Sequence, residues 1–231
     1  MIDGALGMAY GVSLTTFLLS TGIPPATASA SVHTAEIFTT GASGISHLKL
    51  GNVNKELFTK LLVPGMIGGI VGAYILTSIP VKIIKPFVAL YLLLMGVIIL
   101  RKTFKKIEET TTPRAKLFPL GLIGGFFDAL GGGGWGPIVT STLVARGHNP
   151  RFTIGTVNLA EFFVTLTEVA TFLMIMGLAQ LQIILGLIIG GVIAAPLAAY
   201  VCKKIPSKKL MIIVGILIIT LSVKTIYQTM L

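Results

Sequence analysis

Five of the chain's eight carboxylates interrupt apolar sequence: Asp3, Glu36, Asp128, Glu161 and Glu168. An ionised carboxylate is expensive in hydrocarbon, so such residues face the interior of a helix bundle and are functional by default. Their plainer role is a structural pair or a helix cap. His33 precedes Glu36 by three residues, and Asn158 precedes Glu161 by three, so each pair shares one helix face. Glu168 extends the second of these faces. His33 titrates near neutrality and can relay a proton, although an isolated histidine in an apolar helix is more often a hydrogen-bonded packing residue.

Two glycine-rich breaks follow the aspartates. The first is GALGMAYG, residues 4–11, and includes Gly7 and Gly11. The second is Gly131, Gly132, Gly133 and Gly134, followed by Trp135-Gly136-Pro137. Such sequence cannot continue a helix. Unwound backbone at membrane depth must line a cavity or be buried in protein, and half-helix N-termini there favour an anion. Ser13 and Thr140, just beyond the breaks, add hydroxyls. Trp135 is the only tryptophan and reads as a cavity wall or as packing. Close packing of backbones is the rival account of the glycines.

The elements that must hold these residues are membrane helices. The chain has 231 residues, is 54% hydrophobic and is only 11% charged. Its mean hydropathy is +0.93. That leaves too few charges to cover a water-facing surface. Apolar segments recur at about 4–21, 25–47, 58–79, 82–101, 117–146, 151–177, 180–202 and 209–230, and about 20 such residues span a bilayer. The net charge of +10 sits in short loops, where it sets topology, and no nucleic-acid partner is expected. The single Cys202 excludes an intrachain disulfide. With no HExxH, GxSxG or metal-ligand spacing, neither an enzyme nor a metal or other cofactor is expected.

Residues 101–116 form the long polar stretch and read as a cytoplasmic linker between repeat 1 (1–100) and repeat 2 (117–231). At an offset of 125, Asp3 matches Asp128, Gly11 matches Gly136, Pro25 matches Pro150 and Glu36 matches Glu161. Residues 117–125 have no counterpart ahead of Asp3. Duplication of this kind marks secondary transporters. Positive-inside counting favours a re-entrant first element in each half. Only Lys82, Lys85 and Lys224 of the 18 Lys and Arg then remain outside, whereas eight spanning segments give a nearly even split. The expected fold is therefore an all-α polytopic membrane protein with two inverted repeats. Each repeat holds one re-entrant or broken helix and three transmembrane helices.

The duplicated order of acid, glycine break, proline turn and polar helix continues into Gly51-Asn52-Val53-Asn54 and the glycine-striped helix Gly65–Tyr74. With Asp3–Gly11 and Asp128–Pro137, this pattern resembles the TauE/SafE sulfite exporter family over essentially the whole chain. The first glycine run departs from the block of glycines usual there. The resemblance implies a multi-pass protein of the bacterial plasma (inner) membrane that moves small anions such as sulfite, sulfoacetate or other organosulfonates. An anion channel is the alternative. The expected substrate-binding set is Gly7, Gly11, Ser13, His33, Gly131–Gly134, Trp135, Thr140 and Asn158. The acids Asp3, Glu36, Asp128, Glu161 and Glu168 would carry coupling protons or brace the breaks. The expected partners are a small anion, the lipid bilayer and, in a homo-oligomer, further copies of the chain.

Overall fold

The computed structural model describes residues 9–104, 116–177, 181–190 and 207–230. Every regular element among them is helical. The first half holds α1 (Tyr10–Ser20), α2 (Pro25–Lys49), α3 (Lys55–Ser78) and α4 (Val81–Lys102). The second half holds α5 (Leu117–Gly131), α6 (Gly136–Ala145), α7 (Pro150–Met176), α8 (Leu181–Gly190) and α9 (Ser207–Met230). The turn residues act where they were read. Pro25 and Pro150 occupy the first helical position, where no amide is needed. Asn54 caps α3 by accepting from the Leu57 amide at 3.0 Å, and Asn149 caps α7 by accepting from Arg151.

Among the described residues, four stretches are long and apolar enough to cross a membrane: α3, α4, α7 and Met211–Thr229 within α9. Six had been expected. At 25 residues α2 is as long as these, but its Ser, Thr, His and Glu side chains lower its hydropathy, and several of them are buried inside the bundle. The expected span at 180–202 is described only to Gly190. Large apolar side chains such as Phe38, Phe87, Leu94, Phe163 and Met174 point outward, as a lipid-facing surface requires.

Glycines set the helix seams. A Cβ at Gly68, Gly72 or Gly125 would strike backbone across the α3–α5 seam, so the small residues let two backbones touch. Gly41 and Gly44 of α2 lie against Phe162 and Leu159 of α7, while His33 meets Phe172, so these two helices run antiparallel. Likewise Gly96 of α4 faces Ile218 of α9 and Leu100 faces Gly215, again antiparallel. Each pair joins helices that the sequence matching had set in correspondence. Gly186 and Gly190 of α8 meet nothing within 4 Å among the described residues.

Residues 117–145 form a helical hairpin. The chain leaves α5 through Gly132 and Gly133, at φ +64° and +144°, and restarts with a π-helical turn at Gly136–Thr140. Trp135 and Val139 of the second arm pack against Gly124 of the first. Two loops also meet: Arg151 Nε donates to Asn52 Oδ1 at 2.5 Å, and the Asn54 amide donates to Thr156 Oγ1 at 2.8 Å. The loop 48–54 therefore lies on the same side of the bundle as the start of α7.

Candidate functional site

The hairpin tip is held from every side. Asp128, on the last turn of α5, accepts from the Gly134 amide at 2.6 Å and the Trp135 amide at 2.9 Å through one carboxylate oxygen. Its backbone carbonyl takes the Gly132 and Gly133 amides. Thr15 of α1 donates to the Gly132 carbonyl at 2.8 Å. Tyr91 of α4 stacks on Phe127 and donates to the Gly133 carbonyl at 3.3 Å. Lys102 donates to the Pro137 carbonyl at 2.7 Å. The amides of Gly132–Gly134, read as anion donors, are thus engaged in this conformation. The reason is local: Asp128 sits within capping reach of the second arm, and a buried amide takes the nearest acceptor.

A small cavity of about 10 Å³ lies where α1 crosses this tip. Ala9, Gly11 and Val12 line one wall, Gly133, Gly134, Gly136 and Pro137 the other, with Glu36 and Glu161 between them. Two of these pairs match at the sequence offset of 125: Gly11 with Gly136, and Glu36 with Glu161. A volume of this size holds about one water. The approach is close, since a Cβ on Gly11 would lie 2.6 Å from the Gly132 carbonyl oxygen.

Behind the cavity four titratable groups converge from three helices. His33 Nε2 lies 2.8 Å from Glu168 Oε2, 3.7 Å from Asp128 Oδ2 and 4.0 Å from Glu36 Oε2. All four side chains are buried. The other ring nitrogen, Nδ1, lies 2.8 Å from the Ser29 carbonyl oxygen. His33, Asp128 and Glu168 thus bring a ring nitrogen and two carboxylates within 4.8 Å of one another, a grouping that spacing along the chain did not show. Fold proximity over more than a hundred residues makes that group, and sequence spacing cannot show it.

The remaining expected site residues divide as follows. Asn158 is fully buried, and neither atom of its amide has a hydrogen-bond partner among the described residues. Ser13 donates to the Ala9 carbonyl at 2.6 Å. Thr140 is buried on α6. Gly131 packs against the Tyr91 ring. Trp135 is fully buried, donates to the Val157 carbonyl at 3.2 Å and fills the space over Gly65 and Gly124. Trp135→Phe is expected to lower stability by about 1 kcal/mol through that lost hydrogen bond, measured as a modest drop in melting temperature. Asp3 and Gly7 lie outside the described residues. Tyr91 and Lys102 were missed: one is a lone hydroxyl in an apolar run, the other had been assigned to linker charge.

Comparison with known proteins identifies the family. The family model described as "Sulfite exporter TauE/SafE" matches residues 1–225. A "Probable membrane transporter protein YtnM" of Bacillus subtilis (strain 168) is 44% identical over 235 residues, covering 98% of this chain and 78% of that protein. No solved structure matches. The family and this relative point to a membrane transporter and away from an enzyme. This multi-pass membrane protein belongs to the TauE/SafE sulfite exporter family.

Proposed function

We propose that the chain is a secondary transporter of small anions, with sulfite and organosulfonates such as sulfoacetate as the substrate class, exported across the plasma membrane. One observation carries the reading: two glycine-rich breaks at repeat-equivalent positions meet across a single cavity flanked by the equivalent acids Glu36 and Glu161. That is the geometry of a central site between two repeats.

Repeat 1 (1–100), a cytoplasmic linker (101–116) and repeat 2 (117–231) divide the chain, and the repeats are inverted. The antiparallel packing of α2 on α7 and of α4 on α9 supports the inversion. The contact between Asn52 and Arg151 supports the re-entrant topology, because eight spanning segments would put those residues on opposite faces of the bilayer. The 10 Å³ cavity is too small for a sulfite ion, so the breaks separate to admit one. Gly136 and the Gly11 region then offer amides, Asn158 offers its unengaged amide, and Glu36 and Glu161 carry protons or brace the breaks.

In proteoliposomes, saturable counterflow of labelled sulfite, sulfoacetate or thiosulfate is expected. Unsaturable current without exchange would make the protein the alternative anion channel. Glu161→Gln is expected to slow exchange by about tenfold or more. An unchanged rate would remove Glu161 from the mechanism.

A further inference from the structure

We propose that the buried contact between His33 Nε2 and Glu168 Oε2 holds the single coupling proton of this transporter, and that Asp128 links it to the anion site. The inference rests on the transport reading for its functional part. The presence of the proton stands on geometry alone.

The argument begins at the other nitrogen of the ring. His33 Nδ1 lies 2.8 Å from the Ser29 carbonyl oxygen, which can only accept. The nearby Ser29 hydroxyl already donates to the Ala129 carbonyl at 2.6 Å. Nδ1 therefore carries a hydrogen, and this fixes the ring's tautomer. A neutral imidazole so oriented has a lone pair on Nε2. Glu168 Oε2 lies 2.8 Å from that lone pair, and an ionised carboxylate there would set two acceptors against each other. A proton shared between them resolves the clash, as imidazolium facing carboxylate or as carboxylic acid facing imidazole. The proton count is the same in both forms.

The surroundings add further charge beside that proton. Glu36, one turn along α2, and Asp128 of α5 place two further carboxylates within 4.0 Å of the same nitrogen. From α3 Gly69 packs against Glu168, and from α7 the Phe172 ring meets His33. Tyr91 of α4 approaches through the Gly133 carbonyl. Three carboxylates crowded round one imidazole at membrane depth repel one another without a shared proton.

Asp128 has an oxygen on each side of the coupling. Oδ2 faces His33 at 3.7 Å, while Oδ1 holds the Gly134 and Trp135 amides at the hairpin tip. Gain or loss of the proton therefore changes the charge beside the group that closes the tip.

The other half cannot repeat this device. At the offset of 125, Asn158 replaces His33 and Ser43 replaces Glu168, and neither can take up a proton near neutral pH. The device therefore occurs once and carries one proton per cycle, which leaves Glu36 and Glu161 to brace the breaks.

The test uses the whole protein in liposomes with the membrane potential clamped at zero and labelled sulfoacetate as probe. Wild type is expected to accumulate the probe about tenfold per imposed pH unit, the ratio that one coupled proton sustains. Glu168→Gln is expected to keep counterflow and lose that accumulation. Accumulation by Glu168→Gln equal to wild type, a hundredfold ratio, or dependence on a sodium or divalent-cation gradient would each overturn the proposal and leave anion transport standing. Absence of wild-type counterflow would instead sink the transport reading. In parallel, nitrogen NMR of histidine-labelled wild type should show His33 protonated at Nδ1, with Nε2 in a strong hydrogen bond. A bare Nε2 would refute the shared proton whatever the fluxes show.

Discussion

Gly133→Ala is expected to abolish anion exchange and to lower the stability of the purified protein by about 2–6 kcal/mol. Two causes add. Gly133 sits at φ +144°, where an L side chain strains the backbone by about 1–3 kcal/mol. A Cβ there would also lie 2.6 Å from Gly11 Cα, and overpacking of that kind costs about 1–3 kcal/mol more. The neighbour in question is backbone, so no rotamer change relieves the clash. The two breaks must move apart, and the cavity between Glu36 and Glu161 loses its walls. Thermal unfolding in detergent and counterflow in liposomes check the two parts separately. Gly22→Ala is the control for strain without contact, because Gly22 also has a positive φ, +97°, but nothing lies within 4 Å of its Cβ position. It should cost stability and spare exchange.

Asp128→Ala is expected to be the most damaging side-chain truncation among the described residues. It leaves the buried Gly134 and Trp135 amides without their acceptor, and each orphaned buried donor costs about 1–3 kcal/mol. It also removes one of the three carboxylates facing His33. Asp128→Asn separates these effects, since an amide oxygen can still accept from both backbone donors. That variant should recover most of the lost melting temperature while exchange stays at least about tenfold below wild type. Full recovery of both by Asn would reduce Asp128 to a helix cap.

Much of the architecture was legible because membrane helices are written locally. Apolar run length gave the segments, and proline, asparagine and glycine gave the turns. Pro25, Pro150, Asn54 and Asn149 sit at helix starts because their backbone and side-chain chemistry serves unsatisfied amides wherever it occurs. The stripe Gly65, Gly68, Gly69 and Gly72 announced a seam, since small residues at helical spacing have few other uses in lipid. The acids also announced burial by their cost. Glu36, Asp128, Glu161 and Glu168 are all buried.

Partnership was not legible. Sequence placed His33 with Glu36, one turn away, yet the nearest carboxylate to Nε2 is Glu168, on a helix 135 residues later. It offered the Gly132–Gly134 amides to a ligand, while the fold gives them to Asp128. Tyr91 and Lys102 carried no local signal, because bracing the Gly133 and Pro137 carbonyls depends on where α4 lies.

The sequence by itself determined which residues leave water and where helices start and break. These follow from transfer free energies and backbone preferences, which act within a few residues. The tertiary structure alone decided which polar groups meet. In hydrocarbon a buried donor, acceptor or charge is costly without a partner, and the partner available depends on the crossing of α1, α2, α5 and α7.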